Sequence, residues 1–91
     1  MMLGSDEHKK AIELLKATLR EMKEGLNRID DLKLERPKKL LAKHMHEIYA
    51  GISVVVEEYE KSKGQDDLNR AFRQIEIFKP AFMLSYSEIL G

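Results

Sequence analysis

Apolar residues recur along the chain at the alternating three- and four-residue steps of amphipathic helices. The first run is Ile12, Leu15, Leu19, Met22, Leu26 and Ile29, and a flanking row holds Ala11, Thr18, Gly25 and Leu32. This heptad pattern predicts a helix over about residues 5–33, with Ser5 as its N-cap and acidic residues in its first turn. Glycine within a helix costs about 1 kcal/mol relative to alanine, so Gly25 indicates that a neighbouring helix approaches closely.

A second helix is predicted from Pro37 to about Gly64. Its apolar residues are Leu41, Met45, Ile48, Ile52, Val55 and Tyr59. Proline suits the first position of a helix, and glycine is a common C-terminal stop. The segment 48–56 is rich in β-branched residues, as strands are, but the helical spacing on both sides of it favours a helix.

The third run predicts a helix over about residues 67–90, with Asp66 or Asp67 as its cap. Its apolar residues are Leu68, Phe72, Ile75, Phe82, Tyr86 and Ile89. Proline removes a backbone hydrogen bond and clashes with the preceding turn. Pro80 therefore predicts either a kinked helix or two short helices broken near Lys79.

Three amphipathic helices with short connections predict an all-α fold, an antiparallel up-down-up three-helix bundle. The first two helices have about 27–29 residues each, which corresponds to a length of roughly 40 Å. We interpret residues 1–91 as a single helical-bundle domain, in which residues 1–4 are expected to be disordered.

Composition narrows the classes of function. The chain carries 16 basic and 16 acidic side chains, so no chain-wide attraction to nucleic acid or acidic membranes follows. It has no cysteine, which excludes disulfides, thiolate metal sites and cysteine nucleophiles. No apolar run approaches the roughly 18 residues of a membrane span and no leader segment is recognisable, so we expect a cytoplasmic protein without a membrane partner.

One bias in the amino-acid composition bears on the growth temperature of the source organism. Lys and Glu occur 11 times each, whereas Asn and Gln are few and Cys is absent. This bias is typical of hyperthermophile proteins, and it is equally common in any highly charged helical protein. The sequence leaves two interpretations open: a thermophilic source, or a highly charged helical protein from any source.

No group of residues indicates catalysis, a metal or a cofactor. The apolar heptad positions contain no Asp, Glu or His, which argues against a di-iron or di-manganese bundle, and the common phosphate-loop, nucleophile and zinc-protease motifs are missing. His44 and His46 lie about 200° apart around a helix and cannot chelate together. His44 with Glu47 would need further ligands from elsewhere. We therefore expect no enzyme, no catalytic residue, no metal and no cofactor.

A basic corner opens the second helix. It consists of Arg36, Lys38, Lys39 and Lys43, and acidic residues (Asp30, Asp31, Glu35) precede it at the end of the first helix. Both groups have the unfavourable sign for the dipole of their helix. Two interpretations remain open: the charges pair across the turn as a solvated surface, or the four cations bind phosphate or an acidic partner. No aromatic residue is interleaved with the lysines, so base stacking is not indicated.

The second and third helices carry more apolar surface than one buried face requires. The residues outside the predicted buried faces include Leu40, Gly51, Val54, Ile77, Ala81 and Leu84. A helix that is apolar on all sides is normally buried on all sides. We expect these six residues to form the interface of a twofold homodimer of about 21 kDa. The alternative is that the second helix is central in an irregular bundle and packs them within one chain.

The sequence thus favours a non-enzymatic, self-associating helical module for protein–protein interaction, with a further protein partner that it does not identify. The alternative is a small subunit of a nucleic-acid-binding assembly that contacts phosphates through the basic corner. We assign no family, because architecture alone does not give function.

Overall fold

Three long helices make up nearly the whole chain. A computed structural model describes residues 4–91, and these contain α1 (Ser5–Asp30), α2 (Lys38–Ser62) and α3 (Gln65–Leu90), with no β-strand. The helices have 26, 25 and 26 residues, and the molecule measures 47 × 17 × 17 Å. The predicted all-α three-helix bundle is confirmed. Disorder is expected for residues 1–4, and of these only Gly4 lies within the described range.

Contacts between side chains show the relative directions of the helices. Lys16 of α1 pairs with Glu60 of α2, and Asp30 pairs with His46, so rising numbers in α1 meet falling numbers in α2. The same holds for α2 and α3, where Glu58 meets Arg70 and Lys38 meets Ile89. This order fits the predicted up-down-up arrangement. α2 packs closely against both neighbours, and α1 and α3 approach each other less closely.

The core follows the predicted heptad positions in α1 and α2 with one shift. Its buried apolar residues are Leu15, Met22, Leu26, Ile29, Met45, Ile48, Ile52, Val56, Tyr59, Leu68, Ala71, Phe82 and Ile89. Val56 is buried where Val55 was expected, while Val55 packs at the core margin. The segment with strand-like composition lies within α2, as its flanks predict.

In α3 the buried stripe is rotated from the predicted row. Ala71 and Ser85 are buried, whereas Phe72 is exposed and Tyr86 is only partly buried. The physical reason is that α3 packs mainly on α2, so the side of α3 that faces α2 is covered more completely than the side that faces α1. The prediction of Phe72 as a core residue is therefore wrong.

The helix ends differ from the predicted caps. α1 is preceded by Gly4 rather than capped by Ser5, and Asp66 and Asp67 lie in the first turn of α3 without a side-chain cap bond. α2 ends at Ser62, and Lys63 rather than Gly64 adopts the left-handed conformation (φ 55°). Gly64 is extended and leads directly into α3.

Pro80 lies inside α3, which continues through it as one helix from Gln65 to Leu90. A break into two short helices is therefore not what the structure has, and the predicted kink stays a prediction. Proline is tolerated here because the side of α3 that carries it is exposed.

Gly25 has the close neighbour that its position predicts. The ring of Tyr86 lies 3.4 Å from the place where a Cβ atom at residue 25 would sit. The aromatic side chain of α3 thus packs directly on the backbone of α1.

Candidate interaction surface

The exposed large apolar side chains of residues 4–91 fall into two groups, one on each side of α3. One group comprises Leu40, Val54, Ile77, Phe78 and Leu84, and the other comprises Leu14, Leu32, Phe72, Met83 and Leu90. The first group lies along the groove between α2 and α3, and the second lies along the groove between α1 and α3. The edge between α1 and α2 differs, because none of these ten side chains lies there and charged side chains cover it.

Two rows of residues form the first surface, which we call the α2–α3 face. The row on α2 is Leu40, His44, Glu47, Gly51, Val54 and Glu58, and the row on α3 is Arg70, Gln74, Ile77, Ala81, Leu84 and Glu88. Both rows repeat in steps of four and three, so each lies along one side of its helix. The rows are neighbours, since His44, Glu47 and Gly51 line a shared cavity with Gln74 and Phe78.

One contact shows which residues of α2 and α3 lie at the same height along the helix axes, which we call the same level. Arg70 Nη1 donates a hydrogen bond to Glu58 Oε2 at 3.3 Å. Counting down α2 and up α3 from this pair places Gly51 level with Ile77, and His44 level with Leu84. The same count brings Lys38 to within one residue of Ile89, where its Nζ donates to the Ile89 carbonyl oxygen at 3.0 Å.

All six residues expected to form an oligomer interface lie on the α2–α3 face. Leu40, Val54, Ile77 and Leu84 are exposed, with Leu84 the most at 63%. Gly51 is exposed, and no described atom beyond the adjoining part of α2 lies within 4 Å of the place where its Cβ would sit. Ala81 is different, since it is half-buried against the core.

Part of the predicted apolar excess of α2 is used within the chain. Val56 is buried, and Ala42 and Tyr49 pack against the core on the side that faces α1. The central position of α2 therefore accounts for one of its flanks. It leaves Leu40, Gly51 and Val54 uncovered on the other flank.

The α1–α3 groove is bridged by polar contacts. Lys79 Nζ lies 3.7 Å from Glu21 Oε2, and Arg28 Nη1 donates to the Tyr86 hydroxyl at 3.2 Å. The hydrogen bond to Tyr86 raises the pKa of Arg28. These contacts flank the place where Tyr86 and Phe82 pack on Gly25.

The α1–α2 edge is covered by charged side chains. Lys16 Nζ lies 2.7 Å from Glu60 Oε2, and His46 Nε2 lies 2.8 Å from Asp30 Oδ1. Lys23 Nζ lies 5.6 Å from the centre of the Tyr49 ring, which is within cation–π range. Exposed ion pairs contribute little to stability, but they make this edge a poor apolar docking surface.

The four residues of the basic corner do not have the same surroundings in the structure. Lys38 Nζ donates to the carbonyl oxygen of Ile89, so this cation lies at the negative end of the α3 dipole. Arg36, Lys39 and Lys43 form no ion pair within 4.0 Å among residues 4–91. The charges therefore do not pair across the turn as one group. Of the acidic residues there, Asp30 pairs with His46.

Replacing Lys38 by methionine is expected to lower the free energy of unfolding by about 0.5–1.5 kcal/mol. The reason is that methionine keeps the apolar stem and removes the donor to Ile89. Urea denaturation of Lys38→Met beside Lys39→Met, whose cation has no such acceptor among residues 4–91, measures the difference. Equal stabilities of the two variants would contradict the capping role.

Tyr59 and His8 form a buried contact that the sequence does not indicate. Their ring centres lie 4.9 Å apart, and neither Tyr59 Oη nor His8 Nδ1 has a hydrogen-bond partner among the described residues. Burial, and the nearby Glu7 carboxylate, raise the pKa of Tyr59. Tyr59 was predicted as a core residue from its spacing, but spacing carries no information about its hydroxyl.

Residues 4–91 contain no group of three or more His, Asp or Glu side chains that could hold a metal ion. His46 pairs with Asp30, whereas His44 lines the cavity of the α2–α3 face beside Glu47. The two histidines thus lie on different sides of α2, as their spacing predicts. Within the same range no helix is both long enough and apolar enough to cross a membrane.

Comparison with protein families, with curated proteins and with solved structures finds no match to this chain. A functional proposal therefore depends on the geometry of the described residues.

Proposed function

We propose that the chain is a non-enzymatic helical interaction module that binds a second copy of itself through the α2–α3 face. The observation that carries this proposal is that two adjacent helices expose four large apolar side chains on one face, beside an open glycine: Leu40, Val54, Ile77 and Leu84. Burying a large aliphatic side chain contributes about 1.5–3 kcal/mol. Monomeric proteins seldom expose large apolar surfaces. A twofold interface uses the same patch on both copies, so each residue contributes twice.

The size of the chain in solution tests the proposal. We expect about 21 kDa by light scattering at high micromolar concentration, which is twice the chain mass of 10.6 kDa. Leu84→Glu or Val54→Glu places a charge in the face and should shift the mass to that of a monomer, with some loss of stability.

Leu14→Glu is the matched control for Leu84→Glu. Leu14 is 57% exposed and Leu84 is 63% exposed, but Leu14 lies in the other groove. We expect Leu14→Glu to remain a dimer. A monomeric wild type would contradict self-association. If Leu14→Glu alone dissociates the dimer, the interface lies in the α1–α3 groove instead.

A second candidate function is contact with nucleic-acid phosphates within a larger assembly. The observation that favours it is that Arg36, Lys39 and Lys43 are exposed and make no ion pair among the described residues. Binding should then weaken steeply with salt, because each neutralised phosphate releases counterions. Lys39→Glu with Lys43→Glu should abolish it. Lys38 is left unchanged in this test because it contacts Ile89. Absence of binding at low salt would leave the corner as solvated surface.

We also propose a cytoplasmic setting and, from the Lys and Glu enrichment, a thermophilic source. The absence of cysteine supports the first, since small exported domains commonly depend on disulfides. A midpoint of thermal unfolding above about 90 °C would support the second, and a midpoint in the mesophilic range would contradict it.

A further inference from the structure

Gly51 leaves a gap in the middle of an exposed helix. It is the fourteenth of the 25 residues of α2, and apart from the adjoining residues and backbone of α2 itself, no atom of residues 4–91 lies within 4 Å of the place where its Cβ would sit. Glycine weakens a helix at such a position, and no other residue within 4–91 fills the space. Gly25 differs, because the Tyr86 ring fills the equivalent space there.

The residue level with this gap on the neighbouring helix is a large exposed one. Ile77 of α3 lies level with Gly51 of α2 by the count from the Glu58–Arg70 hydrogen bond. Both residues belong to the α2–α3 face. If the twofold axis of a dimer runs parallel to the helices, each α2 faces the α3 of the second copy at an unchanged level.

We infer that the two copies associate in this way, with Ile77 of each copy filling the gap over Gly51 of the other. This arrangement rests on the proposed self-association. It makes an antiparallel four-helix bundle from α2 and α3 of both copies, with α1 outside it. The glycine acts as the hole, and the isoleucine acts as the knob that enters it.

The charges on the face fit this arrangement. The row on α2 ends with the acidic Glu58, and Lys43 lies next to the beginning of this row without belonging to it. The row on α3 begins with Arg70 and ends with Glu88. Placing α2 on the α3 of the second copy sets Glu58 level with Arg70 of that copy, and Lys43 within one turn of Glu88. Complementary charges of this kind fix the register of helices.

The other twofold arrangement places α2 on α2 and α3 on α3, and it matches less well. When the twofold axis passes at the level of Gly51, Leu84 lies level with Arg70 of the second copy. When the axis is placed so that Leu40 meets Val54, Glu47 lies against Glu47 of the second copy. Either register opposes an apolar side chain to a cation or one carboxylate to another.

Disulfide crosslinking distinguishes the arrangements, because the natural chain has no cysteine. Gly51→Cys is mixed with a size-tagged Ile77→Cys and oxidised, and the mixed product is separated by mass. We expect this product to exceed the self-linked product of either variant at least tenfold. Cysteines whose Cα atoms are more than about 7 Å apart cannot be bridged, so Gly51→Cys should not link to itself. Efficient self-linking of Gly51→Cys or Ala81→Cys would overturn the arrangement.

A second pair of variants tests the gap without a crosslink. Gly51→Leu fills the space and should weaken dimerisation at least tenfold. Ala17→Leu, at an exposed position of α1 outside the four-helix bundle, should leave it unchanged. An unaltered dimer in Gly51→Leu would overturn the arrangement. A monomeric wild type would instead refute the proposed function, so the two failures are distinguishable by light scattering.

Discussion

Leu26→Ala is expected to lower the free energy of unfolding by about 2–5 kcal/mol. Leu26 is 0% exposed in the middle of the core, between Met22 and Ile29 on the buried side of α1. Truncation to alanine removes buried methyl groups and leaves a cavity that the long helices cannot close by a small shift. A domain of this size has only a modest core, so the loss is a large part of its total stability.

The matched control is Leu14→Ala in the same helix. Leu14 is 57% exposed, and we expect its truncation to cost less than about 1 kcal/mol. Urea denaturation followed by circular dichroism measures both variants at the same protein concentration, because the apparent stability of a dimer depends on concentration. Equal losses in the two variants would mean that α1 is not oriented as the structure has it.

The orientation of α1 could be predicted from the sequence because its apolar residues leave little choice. Ile12, Leu15, Leu19, Met22, Leu26 and Ile29 form one row, and most of the opposite side is charged. All six are buried or packed against the core. When polar residues occupy the remaining positions, spacing alone defines the buried face.

The orientation of α3 could not be predicted in the same way. Apolar residues occupy two adjacent rows of this helix, one through Phe72 and Tyr86 and the other through Ala71 and Phe78. Which row is buried depends on how closely α1 and α2 approach α3. That is a property of the assembled bundle and not of the local sequence.

The candidate interaction surface could be predicted because it depends on an excess of apolar residues, which is visible in the sequence. Leu40, Val54, Ile77 and Leu84 are exposed in the structure as expected. The role of Lys38 could not be predicted, since its acceptor at Ile89 lies 51 residues away along the chain. A contact at that separation depends on the relative level of α2 and α3.

Tyr59→Phe is expected to raise the free energy of unfolding by about 1–3 kcal/mol at neutral pH. Tyr59 is 0% exposed, and its hydroxyl has no hydrogen-bond partner among residues 4–91. An unpaired buried hydroxyl loses its hydration on folding and gains nothing in return. Phenylalanine keeps the ring and its packing on His8 while removing that cost. A loss of stability would mean that the hydroxyl has an acceptor.

The difference between these two chains should widen at alkaline pH. Burial and the Glu7 carboxylate raise the pKa of Tyr59 above its ordinary value of 10.0, so folding favours the neutral phenol. In the unfolded chain the hydroxyl ionises from about pH 10. The wild type therefore loses stability as pH rises from about 10 towards the raised pKa, by up to about 1.4 kcal/mol per pH unit. Tyr59→Phe lacks this loss. Urea denaturation of both at pH 8 and pH 11 measures the widening, and an unchanged difference would show that the Tyr59 hydroxyl is not buried.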